Sequence, residues 1–221
     1  MPDADAYAVL ARPLEREIEI KRSRFITLLS RAESEEEARA FFADVRRRFP
    51  DARHHCTAFA AGPDRRVQRS NDDGEPSGTA GRPMLEALTL AEVTPVGRDA
   101  GLPVSDTAAV VVRYFGGVLL GAGGLTRAYS SSVSEAVAEA RWTARRRMAL
   151  YAVEAPHAEA GRIEAEVRRA GFAVTGTDYG RAVTLHLGDA GDASTDLDAL
   201  LASLSHGEVT ARAEGEAWID G

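Results

Sequence analysis

The segment TAAVVVRYF (107–115) constrains the fold more than any other part of this 221-residue chain. It is apolar at nearly every position and lacks the alternation of a half-exposed strand, which is typical of a β-strand buried on both faces of a sheet. The glycine-rich GGVLLGAGG (116–124) follows it and leads into a helix predicted from about residue 125 to 140. The spacing of apolar residues predicts the buried stripe of that helix to be Leu125, Tyr129, Val133, Val137 and Ala140.

This strand belongs to an N-terminal domain predicted over residues 1–144. Its other predicted elements are strands at 21–32 and 54–60 and helices at 34–49 and 84–93. Ser34 and Glu37 have the spacing of a capping box at the start of the first helix. The stretch 62–83 is rich in Gly, Pro, Asp and Asn, so we expect a long irregular loop, and such loops inside compact domains are often functional.

A second pattern predicts a C-terminal domain over residues 147–221. The predicted order is strand 148–155, helix 158–170, strand 172–178, strand 181–187, helix 195–205 capped by Ser194 and Gly207, and strand 208–214. This βαββαβ order is that of a ferredoxin-like domain. The sequence therefore predicts a two-domain α+β protein that divides near residues 143–148, with each piece able to fold separately.

Charge is distributed unevenly along the chain, whose net charge is −7. Residues 1–146 carry 21 basic and 21 acidic side chains, whereas residues 147–221 carry 6 and 13. A phosphate backbone is repelled by such a segment, so we expect the C-terminal domain alone to bind RNA weakly or not at all. No stretch resembles a signal peptide or a membrane span, which favours a cytoplasmic protein without membrane contact. The single cysteine, Cys56, excludes an internal disulfide.

The first candidate site lies in the loop, where Asp72, Asp73, Gly74 and Glu75 precede a proline. One interpretation is a tight turn that leads through Gly78 into a helix cap at Thr79. The other sets the three carboxylates around a cation or a basic group of a partner. No histidine lies in the loop, so no metal site is predicted, and no cofactor is expected.

The second candidate site is GAGGLT (121–126), between a strand and a helix. A Rossmann fingerprint is improbable because Thr126 replaces its last glycine, and a P-loop is excluded because no lysine is near. Two interpretations remain: backbone N–H groups at the helix start bind an anion with Arg113 and Arg127, or the glycines only allow sharp turns and close packing. The residues concerned, with the neighbouring tyrosine of the strand, are Tyr114, Gly116, Gly117, Gly121, Gly123 and Gly124.

The strand HHCTAFA (54–60) contains the cysteine and two histidines. Alternation places His54 and Cys56 on one face and His55 on the other. Same-face neighbours are about 7 Å apart at Cα, too far for a Cys–His nucleophile pair, so Cys56 is predicted to be a small buried thiol. We expect His55 to be a partly exposed residue of the sheet.

Two long motifs, NDDGEPSGTAGRPM (71–84) and VVVRYFGGVLLGAGGLTRAYSSSVSEAV (110–137), resemble the signature segments of the YigZ/IMPACT family. SRF (23–25) and the set His54, Cys56, Ala58 and Phe59 support the resemblance. It implies an N-terminal domain of the ribosomal-protein-S5-domain-2 type. It also implies a DUF1949-type C-terminal domain similar to domain V of elongation factor G.

The resemblance implies a binding or regulatory protein linked to translation or stress. Its partner is expected to be the ribosome, RNA or a translation-associated protein, bound through the N-terminal domain. An arginine near the end of a buried strand is costly unless it reaches solvent, a carboxylate or a ligand. Arg113, the backbone at Gly123 and Gly124, and loop residues 72–75 are therefore predicted to form one concave anion-accepting or partner-binding site. The alternative is a purely internal salt bridge. The competing hypothesis is a phosphate- or nucleotide-binding enzyme that uses the glycine-rich helix start.

Overall fold

The computed structural model describes residues 5–221, which form an α+β structure of two compact units. The first unit contains the residues up to Arg145 together with Gly221, and the second contains Arg146–Asp220. Separate folding of the two stays a prediction: fragments 1–144 and 147–221, expressed apart, should each unfold cooperatively on heating. No helix among the described residues is long and apolar enough to cross a bilayer.

The first unit is built on one main antiparallel sheet with helices on both faces. Its elements are β1 Ala6–Leu10, β2 Leu14–Ile20, β3 Ser23–Arg31, α1 Glu35–Arg48, β4 His54–Ala61, β5 Val67–Asn71, α2 Gly81–Thr89, β6 Glu92–Val93, β7 Leu102–Pro103, β8 Thr107–Tyr114, α3 Ala122–Glu139 and the beginning of β9 Trp142–Ala155. The strand order of the main sheet is β2-β3-β8-β4-β5, and the short strands β6 and β7 pair separately. Strand β8 is therefore central.

The prediction that β8 is buried on both faces is confirmed. Ala109 and Val111 pack with residues of α2 and α3 in one apolar cluster. Val110 and Val112 point to the other face, where they pack with residues of α1. Covering helices on both sides explain why the strand has no polar alternation.

Several boundaries in this unit differ from the prediction. Strands β1 and β2 were not predicted, and β5 forms inside the stretch predicted as irregular. All five β5 side chains are exposed, so this edge strand gives no period-2 apolar signal. Helix α2 begins at Gly81 rather than 84, and α3 begins at Ala122 rather than 125. The cap of α1 is as predicted, because the Glu37 amide donates to Ser34 Oγ over 3.2 Å.

The second unit has the predicted order of elements. Most of β9 is followed by α4 His157–Arg169, β10 Ala173–Tyr179, β11 Val183–Asp189, α5 Leu197–Ser205 and β12 Ala211–Asp220. The strand order is β12-β9-β11-β10. Val153, Leu185 and Leu187 of the sheet form a core with Ile163 of α4 and Leu201 of α5.

The caps of α5 correct the prediction. Asp196, not Ser194, is the N-cap, since its carboxylate accepts a hydrogen bond from the Ala199 amide over 2.9 Å. Ser194 instead donates to the carbonyl oxygen of Ala170. His206 is the left-handed C-cap, with φ of 53°, and Gly207 follows it.

Candidate functional site

A cavity of about 330 Å³ lies in the first unit, at the end of the main sheet where β8 stops and β4 starts. Its lining combines a buried charged pair, a mostly apolar wall and the first residues of α3. The lining residues are Arg53, His54, Glu75, Pro76, Arg113, Phe115, Leu119, Leu120, Gly121, Ala122 and Leu125.

The floor of the cavity is an ion pair between Arg113 and Glu75. Arg113 Nη1 lies 2.5 Å from Glu75 Oε1, and the two side chains are 7% and 4% exposed. Tyr129 Oη of α3 donates to the same carboxylate oxygen over 2.8 Å. Burial raises the pKa of Tyr129 far above its usual value, so the phenol remains a donor. The carboxylate is thus fixed in position by two donors.

Arg113 lies between two aromatic rings. Its Cζ is 5.4 Å from the ring centre of Phe25 and 5.7 Å from that of Phe115, within the range of cation–π attraction. Its Nε is buried and has no hydrogen-bond partner in the described part of the chain. A buried donor without an acceptor costs free energy, and this one belongs to a residue that lines the cavity.

Asp72 does not face the cavity but caps α2. Its carboxylate accepts hydrogen bonds from the backbone amides of Gly78, Ala80 and Gly81 over 2.8, 3.0 and 2.8 Å. Burial acts to raise the pKa of Asp72, but the three amides outweigh it and hold that pKa below its usual value. Thr79 is therefore not the helix cap, and its hydroxyl donates to the Pro76 carbonyl instead.

Asp73 also has a structural role. Its carboxylate accepts from Arg46 over 2.8 Å and from the His55 amide over 2.7 Å. The expectation of a partly exposed His55 is wrong: it is 3% exposed, and Nε2 donates to the carbonyl of Phe49. Among residues 5–221 no group of three or more His, Cys, Asp or Glu could hold a metal ion. Of the three predicted carboxylates, Glu75 alone lines the cavity.

Of the five glycines in the segment 116–124, Gly121 alone lines the cavity. Gly121, with φ of 70°, and Ala122 line the cavity, and no side chain caps the amino end of α3. Three residues expected there, Gly123, Gly124 and Arg127, are absent from the lining. The structure thus gathers only part of the predicted concave site.

The remaining predicted residues lie around the cavity without lining it. Gly116 packs on a backbone, since a Cβ there would lie 1.9 Å from the carbonyl oxygen of Arg22. Gly74, Gly78 and Gly117 have positive φ in loops, so the turn interpretation holds for them. Tyr114 donates to Asp51 Oδ1 over 2.9 Å, outside the cavity.

The predicted burial of Cys56 is confirmed. Its Sγ donates to the carbonyl of Asp72 over 3.0 Å. Burial raises the pKa of the thiol to about 12, so it is protonated at neutral pH and is a poor nucleophile.

Sequence reasoning missed the residues that form the mouth of the cavity. Arg53 precedes β4, and Phe115 and Leu119, which are 53% and 83% exposed, follow β8. A signal was present, because large apolar residues in a glycine-rich loop do not belong to any periodic buried face.

The chain matches two family models. The model described as the Impact N-terminal domain covers residues 21–137, and a domain of unknown function, DUF1949, covers residues 153–208. The first match contains the whole lining of the cavity.

Similar proteins extend the match to most of the chain. IMPACT family member YigZ of Escherichia coli (strain K12) is 37% identical over 93% of this chain and 96% of its own length. IMPACT family member YvyE of Bacillus subtilis (strain 168) is 41% identical over 79% of this chain and 75% of its own length. A crystal structure of an hypothetical protein matches with a TM-score of 0.60 and 35% identity, covering 94% of this chain and 96% of that chain. The chain belongs to the IMPACT family.

Proposed function

We propose that this protein is a binding or regulatory protein linked to translation, and that its N-terminal unit receives its partner at the Arg113–Glu75 cavity. The observation that carries the proposal is the combination of a buried charged floor with an exposed apolar mouth. Phe115 and Leu119 are too exposed to contribute to the core, and exposed apolar residues next to a cavity are typical of a binding surface.

The chemistry of the cavity supports binding over catalysis. Glu75 is held in one position by Arg113 and Tyr129, so its carboxylate is not free to move toward a substrate. Cys56 is protonated and donates to a backbone carbonyl. In this proposal Glu75 is a fixed part of the recognition surface, and Cys56 is a buried structural residue behind it.

The link to translation rests on the fold. The second unit has the strand order β12-β9-β11-β10 with two helices in its core, which supports a ferredoxin-like domain of the kind found as domain V of elongation factor G. We propose in the same way that the first unit is of the ribosomal-protein-S5-domain-2 type. Likeness of fold is an analogy for function, and capture of partners from a lysate tests the link directly.

A second candidate is a phosphate-binding enzyme. Gly121 and Ala122 bring the uncapped amino end of α3 to the cavity, and such helix ends attract anions. A thermal-shift panel of nucleotides, phosphosugars and inorganic phosphate tests this candidate. A ligand at 100 times its dissociation constant stabilises the protein by about 2.7 kcal/mol.

The main test is capture from a cell lysate with the tagged full chain, followed by identification of bound proteins and RNA. Wild type should enrich ribosomal components, translation factors or RNA, and Leu119→Ser should lose them because it removes an apolar contact at the mouth. Arg12→Asn is the control: Arg12 is exposed, and it precedes β2 at the end opposite the β2–β3 turn. Equal capture by wild type and Leu119→Ser, or no enrichment of translation components, would refute the proposal.

A further inference from the structure

Three basic residues lie at the same end of the main sheet as the cavity. Lys21 and Arg22 form the turn between β2 and β3, with φ of 48° and 65°. Gly116 packs directly on the backbone of Arg22, so the turn lies against the start of the loop that forms the cavity mouth. Arg53 lines the cavity itself. We call Lys21, Arg22 and Arg53 the basic rim.

The basic rim is not neutralised by the residues that the structure describes. None of its three residues makes an ion pair or a side-chain hydrogen bond with any other residue in the range 5–221. Neighbouring arginines differ, since Arg24 pairs with Glu17 and Arg46 pairs with Asp73. Unpaired cations at one end of the sheet, one of which lines the cavity, attract an anionic partner.

The interior of the cavity has a different chemistry from its rim. Its floor carries the Arg113–Glu75 ion pair, in which the two charges cancel, so the floor offers no excess positive charge to a phosphate group. Its wall is mostly apolar, through Phe115, Leu119, Leu120 and Leu125. Glu75 lines the cavity as an acceptor, and Arg113, which also lines it, has a buried Nε without a partner among the described residues. This interior fits a flat, uncharged group whose edge both donates and accepts.

We propose that the cavity binds an unpaired nucleotide of RNA, with the base inside and its flanking phosphates on the basic rim. The base stacks on Phe115, its amino or imino group donates to Glu75, and a ring nitrogen or carbonyl accepts from Arg113 Nε. Aromatic stacking with a basic groove is the general way in which proteins bind single strands. An acidic peptide satisfies the rim, but its acidic side chains bring no aromatic ring to stack on Phe115. The inference deepens the proposed function and rests on it.

The test is fluorescence anisotropy of the full chain with a labelled single-stranded RNA of about 12 nucleotides. Blunt duplex RNA, the same sequence as DNA and an acidic peptide are the comparison probes. Single-stranded RNA should bind, and duplex RNA should bind more weakly because its paired bases cannot enter the cavity. The same strand as DNA separates a general single-strand site from one that also requires the 2′-hydroxyl.

Two variants test the contacts to the base and the contacts to the phosphates separately. Phe115→Ala should weaken RNA binding by about 5- to 150-fold through loss of one stack. Lys21→Asn with Arg22→Asn should lower the slope of log affinity against log salt by about 1.4, which is about 0.7 for each lost charge. Asparagine keeps the turn because it readily adopts positive φ. Arg12→Asn, with no role at the cavity, should leave affinity and slope near the wild-type values.

Each outcome decides for or against the inference. It is overturned if single-stranded RNA does not bind, if duplex RNA binds equally well, or if only the acidic peptide binds. It is overturned likewise if Phe115→Ala has no effect, or if Lys21→Asn with Arg22→Asn leaves the salt slope unchanged. Thermal melts of each variant show whether it is folded, and all the altered side chains are exposed. If nuclease treatment leaves lysate capture intact while purified RNA fails to bind, the RNA inference falls and the proposed function stands.

Discussion

Breaking the Arg113–Glu75 pair should destabilise the first unit much more than breaking a similar pair at the surface. The two side chains are almost fully buried and their nearest atoms are 2.5 Å apart. Removal of one side chain therefore leaves the other as a buried charge without a partner. A buried charge left in this way costs about 3–5 kcal/mol. Arg24 and Glu17 are the matched control, since they are joined by two hydrogen bonds but are 49% and 44% exposed. Water screens that pair, so Glu17→Ala should change stability little.

A double variant at Glu75 and Arg113 tests whether the loss of stability comes from the unpaired charge. Glu75→Leu and Arg113→Met should each cost about 3–5 kcal/mol, whereas both together leave no buried charge and should cost less than either alone. The remaining loss in the double variant comes mainly from Tyr129, whose hydroxyl loses its acceptor at about 1–3 kcal/mol.

Urea unfolding followed by tryptophan fluorescence measures these changes. The chain has two tryptophans, so a Trp218→Phe background leaves Trp142, which is buried in the first unit, as the reporter. With a denaturant slope of about 2 kcal/mol per M, a loss of about 4 kcal/mol lowers the midpoint by about 2 M urea. The reasoning is refuted if the single variants lose less than about 1 kcal/mol, or if the two losses simply add.

Three further predictions concern the surroundings of the cavity. The Cys56 thiol, with a pKa of about 12, should react with a thiol reagent at about pH 8 only after unfolding; rapid labelling of the native protein would contradict its burial. Because the folded-state pKa of Asp72 is lowered from 3.8, its contribution to stability is present above about pH 4 and is lost as the pH falls through the folded-state pKa. Asp72→Asn should therefore lower the midpoint of thermal unfolding at neutral pH, and that midpoint should fall less as the pH is lowered than it does in the wild type. An unchanged dependence of the midpoint on pH would contradict the capping role. Gly116→Ala should destabilise the protein because its Cβ meets the Arg22 carbonyl, whereas Gly123→Ala in open space within α3 should stabilise it by about 0.5–1 kcal/mol; the reverse order in thermal melts would overturn this account.

The sequence predicts the parts of the fold that carry a strong periodic signal. Strand β8 and the helices α1 and α3 were found because their apolar residues follow the spacing of a buried strand or a one-sided helix. Strand β5 has no such signal, since the main-chain pairing with β4 holds it while its side chains face water. The stretch predicted as a loop was therefore partly regular.

The candidate site was predicted only in part. The rest could not be predicted because the chemistry of the site depends on contacts across the sheet. The charge at Arg113 near the end of a buried strand required a carboxylate, and three neighbours in the loop were available. Local sequence could not show that Asp72 caps a helix nine residues later at Gly81, or that Asp73 is held by Arg46 of α1. The three-dimensional structure is needed to show that Glu75, and not Asp72 or Asp73, pairs with Arg113. Arg53 was missed for the same reason, because it reaches the cavity only through the pairing of β4 with β8.

The exposed side chains after β8 have a thermodynamic consequence. Phe115, Val118 and Leu119 are 53%, 39% and 83% exposed, so the free protein orders water around a contiguous apolar segment. A partner that covers this segment must release that water, and the heat capacity of the complex will be lower than that of its separated components. The binding enthalpy at this surface will therefore become more favourable as the temperature rises, which calorimetry at several temperatures detects without knowledge of the contacts.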